Sequence, residues 1–125
     1  MNVLDSSCWI EFFHNTPIKG AFAPVVNRPQ ELLVPTVVLY EVCKYLLSKT
    51  SEENVIKYVR FMQKGQVIIL TPELSISAAN ISRKHKLAMA DSIIYATTKQ
   101  YEAVLWTTDQ HFNGLPSVRY FDKTQ

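Results

Sequence analysis

Short apolar runs at residues 2–4, 32–34, 67–70, 103–106 and 118–121 alternate along the chain with stretches whose apolar residues recur at helical spacing. That alternation implies one α/β domain with a mostly parallel sheet, because the first strands are each followed by helical stretches that must cross back over the sheet before the next strand begins. The run Val67-Ile68-Ile69-Leu70 lacks polar alternation, the pattern of a strand covered on both faces. Between the strands, residues 8–13 form an apolar helical stretch, and Pro17, Pro24 and Pro29 leave room for one short helix. A helix is predicted from Pro35-Thr36 to about Lys49, capped by Thr36, with Leu39, Val42, Cys43 and Leu46 as its apolar stripe. Ser51-Glu52-Glu53 starts the next helix and Gly65 stops it, with Val55, Ile56, Val59 and Met62 facing the core. Thr71-Pro72-Glu73 opens another, which ends in Arg83-Lys84-His85-Lys86. No linker, repeat or low-complexity segment interrupts the pattern, so a single domain over residues 1–125 is expected.

Composition bounds the classes that remain. At 125 residues, 47% hydrophobic and 19% charged, the chain buries roughly two-thirds of its unfolded surface and needs no staple. Cys8 and Cys43 sit inside apolar runs without metal-ligand spacing, and no charged leader precedes a long apolar stretch, so a cytoplasmic, reducing setting is expected. No segment is long enough to span a bilayer. A net charge of +2 permits contact with nucleic acid without requiring it.

One carboxylate does not fit the apolar pattern. Asp91 stands in Leu87-Ala88-Met89-Ala90-Asp91-Ser92-Ile93-Ile94-Tyr95-Ala96, on the helix face that should pack inward. Its desolvation calls for helix capping, a cationic partner or a bound metal. Asp5 and Asp109 follow strands and precede polar turns, where parallel sheets place their ligand sites, and Glu41 lies on an apolar helix flank beside Val37, Val38 and Tyr45. No Lys or Arg stands in the same motifs. If the four acids converge, they require a hard cation such as Mg²⁺ or Mn²⁺, while zinc is disfavoured because no His or Cys pair is suitably spaced.

These residues carry a family resemblance. Val3-Leu4-Asp5-Ser6-Ser7, Pro35-Thr36-Val37-Val38-Leu39-Tyr40-Glu41, Leu87 to Ile94 and Leu105-Trp106-Thr107-Thr108-Asp109-Gln110-His111-Phe112 follow in the order found in PIN domains. The chain resembles, more narrowly, the VapC-type ribonuclease toxins of bacterial and archaeal toxin–antitoxin pairs. The resemblance implies that Asp5, Glu41, Asp91 and Asp109 are the catalytic, metal-holding quartet and that Ser7 and Thr107 are supporting hydroxyls. Some relatives carry a further acid where this chain has Asn113. The implied reaction is hydrolysis of an RNA phosphodiester assisted by Mg²⁺ or Mn²⁺. The implied partners are RNA, a second copy of the chain and a small antitoxin that offers an Arg to the acids.

Other residues have a plain reading and a functional one. Arg83, Lys84 and Lys86 either meet phosphates or complement a helix dipole. His111 either reaches substrate or is solvated in a turn. Trp9, Phe12 and Phe13 read as packing residues ahead of base-stacking ones, Ser6 and Ser7 as capping or supporting groups, and Arg119 and Lys123 as solvation of an edge strand. An aspartyl-phosphate enzyme is disfavoured, since Asp5-Ser6-Ser7 has no second acid nearby and no Lys follows the strand ending at Trp106. A PIN endonuclease of RNA maturation, and a PIN module that only binds, are the alternatives within the fold.

Overall fold

The computed structural model describes residues 1–123, so the last two residues of the expected domain lie outside the described residues. The strands are β1 (Asn2–Leu4), β2 (Leu32–Pro35), β3 (Gln66–Ile68), β4 (Val104–Thr107) and β5 (Val118–Tyr120). They form one parallel sheet in the order β3-β2-β1-β4-β5. Around it lie α1 (Ser6–Phe13), α2 (Lys19–Val26), α3 (Thr36–Leu47), α4 (Glu52–Met62), α5 (Pro72–His85) and α6 (Met89–Gln100). The α/β architecture expected from the alternation is the one observed.

The central strand decides which strand ends lie side by side. Val3 pairs with Leu33 on one side and Leu105 on the other, and all three are fully buried or nearly so. The carboxyl end of β1, where Asp5 follows, therefore lies between the carboxyl ends of β2 and β4.

Side-chain caps start α1, α4 and α5, whereas α2, α3 and α6 begin without one. The Ser51 hydroxyl accepts from the Asn54 amide and the Thr71 hydroxyl from the Leu74 amide, with Pro72 next to the Thr71 cap. The Thr36 cap expected from the sequence does not form: Pro35 occupies the cap position of α3, and no side chain caps it. The buried stripe of α3 is Val38, Val42 and Leu46, and Leu39 and Cys43 are half-buried beside it. On α4, Val55 and Met62 are buried, whereas Ile56 is 44% exposed. Gly65 is required by close approach, since a Cβ there would lie 2.8 Å from the Leu32 carbonyl oxygen.

The expectation for residues 67–70 is also corrected. The strand ends at Ile68, and Ile69 and Leu70 are 64% and 45% exposed. The reason is topological: β3 is an edge strand with a neighbour on one side, so its apolar run is not covered throughout.

The packing reading holds for the first aromatic group. Trp9 is buried and stacks on Phe13 at 5.6 Å, and Phe13 packs on Tyr58 at 4.6 Å. Phe12 lies parallel to Phe61 at 6.0 Å, which ties α1 to α4.

Candidate metal centre

Asp5 is nearly fully buried at the point where β1 becomes α1. Its backbone amide donates to the Trp106 carbonyl at 2.9 Å, which extends the β1–β4 pairing by one bond. Its Oδ1 accepts from the Ser6 amide at 2.8 Å and so caps α1. Its Oδ2 accepts from Ser7 Oγ at 3.1 Å and Thr107 Oγ1 at 2.8 Å. Burial pushes its pKa up to about 7; the hydrogen bonds from Thr107 and Ser7 oppose the rise, and the charges of Asp91 and Glu41 add to it.

The other acids reach the same place from different elements. Glu41, half-buried on α3, accepts from Ser6 Oγ at 3.1 Å, and that hydroxyl also lies 3.5 Å from Asp5 Oδ1. Asp91 sits in the first turn of α6, where Ala88 is the cap residue and no side chain caps the helix. Burial, with the charges of Asp109 and Glu41 adding to it and His111 opposing, raises the Asp91 pKa to about 6. Side-chain capping therefore does not account for the Asp91 carboxylate.

Asp109 follows β4 and caps a short 3₁₀ turn, Gln110–Phe112, by accepting from the His111 amide at 2.9 Å. Its own amide donates to Thr107 Oγ1 at 2.9 Å. Thr107 therefore links two acids, donating to Asp5 and accepting from Asp109. Ser7 works in parallel, accepting from the Thr108 amide at 3.2 Å while it donates to Asp5.

One oxygen each of Asp91 and Asp109 and one ring nitrogen of His111 lie within 4.8 Å of one another. Asp5 and Glu41 form the adjoining half of the cluster through Ser6. Among the described residues, no Lys or Arg forms an ion pair with any of the four acids. An oxygen-rich donor set under mutual repulsion fits a hard divalent cation.

Two features of this cluster go beyond the sequence reading. Ser6, expected as a capping or supporting group, also bridges Asp5 and Glu41. His111, not Asn113, is the residue beyond Asp109 that approaches the acids; Asn113 closes the 3₁₀ turn and is exposed.

The basic residues lie elsewhere. Arg83 and Lys84 are exposed in the last turn of α5, and Lys86 ends that helix in the left-handed conformation at φ 56°. Lys84 and Lys99 line an open groove between α5 and α6. Arg119 and Lys123 have partners beyond edge solvation: Arg119 lies 4.7 Å over the Trp106 ring, and Lys123 pairs with Glu11 at 4.0 Å. Cys8 is buried and donates to the Trp106 carbonyl at 3.3 Å. No described helix is long and apolar enough to cross a membrane.

Comparison with known proteins matches this geometry to a family. The PIN domain family model covers residues 3–117. No curated protein sequence matches. Among solved structures, a toxin–antitoxin complex from Klebsiella pneumoniae is similar, with a TM-score of 0.81 at 18% identity over 95% of this chain and 96% of that one. VapC20 of Mycobacterium tuberculosis, a toxin that cleaves the sarcin–ricin loop, gives 0.75 at 16% identity over 94% of this chain and 97% of that one. VapBC-1 of nontypeable Haemophilus influenzae gives 0.72 at 19% identity over 99% and 98%. At these identities the solved structures establish likeness of fold, and the family match establishes membership: the chain belongs to the PIN-domain family.

Proposed function

We propose that this protein is a divalent-metal-dependent endoribonuclease, the toxin of a VapBC-type toxin–antitoxin pair, acting through Asp5, Glu41, Asp91 and Asp109. The observation that carries the reading is the convergence of four carboxylates, from four separate segments, without a Lys or Arg partner among the described residues. The similar structures from toxin–antitoxin complexes support the placement among toxins.

In this reading Asp5, Glu41, Asp91 and Asp109 hold Mg²⁺ or Mn²⁺. The cation, when bound, lowers the pKa of a water and offsets charge on the phosphoryl oxygens. The protein's own residues fix the geometry beforehand. Ser7 and Thr107 hold the Asp5 carboxylate by two hydrogen bonds, Ser6 aims Glu41, and Thr107 sets the backbone at Asp109. Arg83, Lys84 and Lys86, just ahead of the helix that carries Asp91, contact phosphates of the RNA. The antitoxin covers the acids with an Arg, and the toxin works as a homodimer in the cytoplasm.

The test is cleavage of cellular RNA by purified protein with Mg²⁺ or Mn²⁺ and with chelator. Asp91→Asn is expected to abolish cleavage while its metal-free stability equals or exceeds that of wild type, because one member of a repelling cluster is gone. Cleavage retained by Asp91→Asn refutes the reading. Co-expression with the product of an adjacent small reading frame tests the antitoxin: relief of growth arrest is expected, and its failure favours a nuclease of RNA maturation.

A further inference from the structure

His111 differs from an ordinary exposed turn residue. Its side chain is 70% exposed, yet its Nδ1 lies 2.9 Å from Asp109 Oδ1. The same oxygen accepts from the His111 backbone amide at 2.9 Å, and the next residue, Phe112, is fully buried. The turn is thus anchored on both sides of the imidazole. Asp91 completes the group, since donor atoms of all three residues lie within 4.8 Å of one another.

These distances suit shared coordination. Neighbouring donors on an octahedral cation with bonds of about 2.1 Å lie about 3 Å apart. The 2.9 Å between Nδ1 and Oδ1 therefore fits two ligands of one ion as well as it fits a hydrogen bond. We propose that His111 is itself a metal ligand, forming with Asp91 and Asp109 a mixed nitrogen–oxygen subsite that selects Mn²⁺ over Mg²⁺. The proposal rests on the metal-dependent reading above and adds a nitrogen donor to its oxygen set. Imidazole suits transition metals, whereas Mg²⁺ keeps to oxygen and water. Ligation uses the Nδ1 lone pair, with the ring proton on the other nitrogen. The Asp5–Ser6–Glu41 half of the cluster stays all-oxygen.

The experiment reads the bound ion directly. Mn²⁺ is titrated into purified wild type, His111→Ala, His111→Gln and Asp5→Asn, with electron spin echo spectra of the bound ion and calorimetry of Mn²⁺ and Mg²⁺. In wild type, nitrogen modulation is expected from bound Mn²⁺, and it shifts when the histidines carry ¹⁵N. Both His111 variants are expected to lose the modulation and at least about tenfold of the Mn²⁺-over-Mg²⁺ preference, while Mg²⁺ affinity changes little. The side chain is exposed, so circular dichroism of both variants should match wild type. Bound Mn²⁺ without nitrogen modulation, or modulation that survives His111→Ala, overturns the proposal and leaves the metal-dependent reading standing provided Asp5→Asn weakens binding. Absence of Mn²⁺ binding to wild type overturns both.

Discussion

Asp5 serves two demands that pull in opposite directions. As the cap of α1 it is favoured as an acceptor, while burial beside Asp91 and Glu41 opposes its charge. The sign of the resulting pH dependence follows from proton counting. In the fold Asp5 titrates near 7 against 3.8 unfolded, so between these values the native state holds a proton that the unfolded chain has released. The metal-free protein should lose stability as pH rises from about 4 to about 7 and level off above, a loss on the order of 2–4 kcal/mol. Asp91, raised to about 6, acts in the same direction. Urea denaturation of chelated protein across this range should show the fall, and Asp5→Asn should flatten most of it. A profile equally steep in Asp5→Asn would contradict the assignment of this slope to Asp5. Thr107 reports on the same carboxylate: Thr107→Val removes the donor to Asp5 and the acceptor of the Asp109 amide, at a cost of about 1–3 kcal/mol.

At the level of elements, two threonines that the sequence offers as caps behave differently. Thr71 caps α5, so Thr71→Ala should cost about 1 kcal/mol; Thr36 lies inside α3 with no capping bond, so Thr36→Ala should stay within about 0.5 kcal/mol. Equal losses in thermal denaturation would show that the α3 start depends on Thr36 after all. The contrast marks what local sequence can carry. Ser51 and Thr71 were legible as caps because one hydroxyl at the right offset suffices, and Asp5 and Asp109 were legible as strand-end acids for a similar reason. At α3 the cap position falls one residue earlier than expected, on Pro35, which has no side-chain acceptor to offer. Ile69 and Leu70 were misread because the coverage of a strand depends on its neighbours, and strand order is not written in the strand itself. For His111, residue spacing showed its nearness to Asp109, but the tight 3₁₀ turn that directs it at Asp91 and Asp109 emerged only in three dimensions. Convergence of Glu41 and Asp91 on the strand-end acids came from the family resemblance; periodicity alone placed them only on apolar helix faces.

Across the whole molecule, the sheet order brings distant parts of the chain to one edge. Mg²⁺ or Mn²⁺ should raise the melting temperature of wild type more than that of Asp5→Asn, since the ion binds the folded state preferentially. Equal shifts would indicate non-specific ion effects. The pairing of β1 with β4 has a further consequence in time. The bond from Thr107 to Asp5 spans 102 residues of sequence, so the acids meet only after the central strands have found each other. A folding transition state that has not yet closed this pairing contains no assembled cation site. Divalent ions should then slow unfolding and leave the refolding rate nearly unchanged, and stopped-flow kinetics with and without Mn²⁺ would separate the two limbs. Bound metal would act as a latch on the finished sheet, lengthening the lifetime of the folded protein without hastening its assembly.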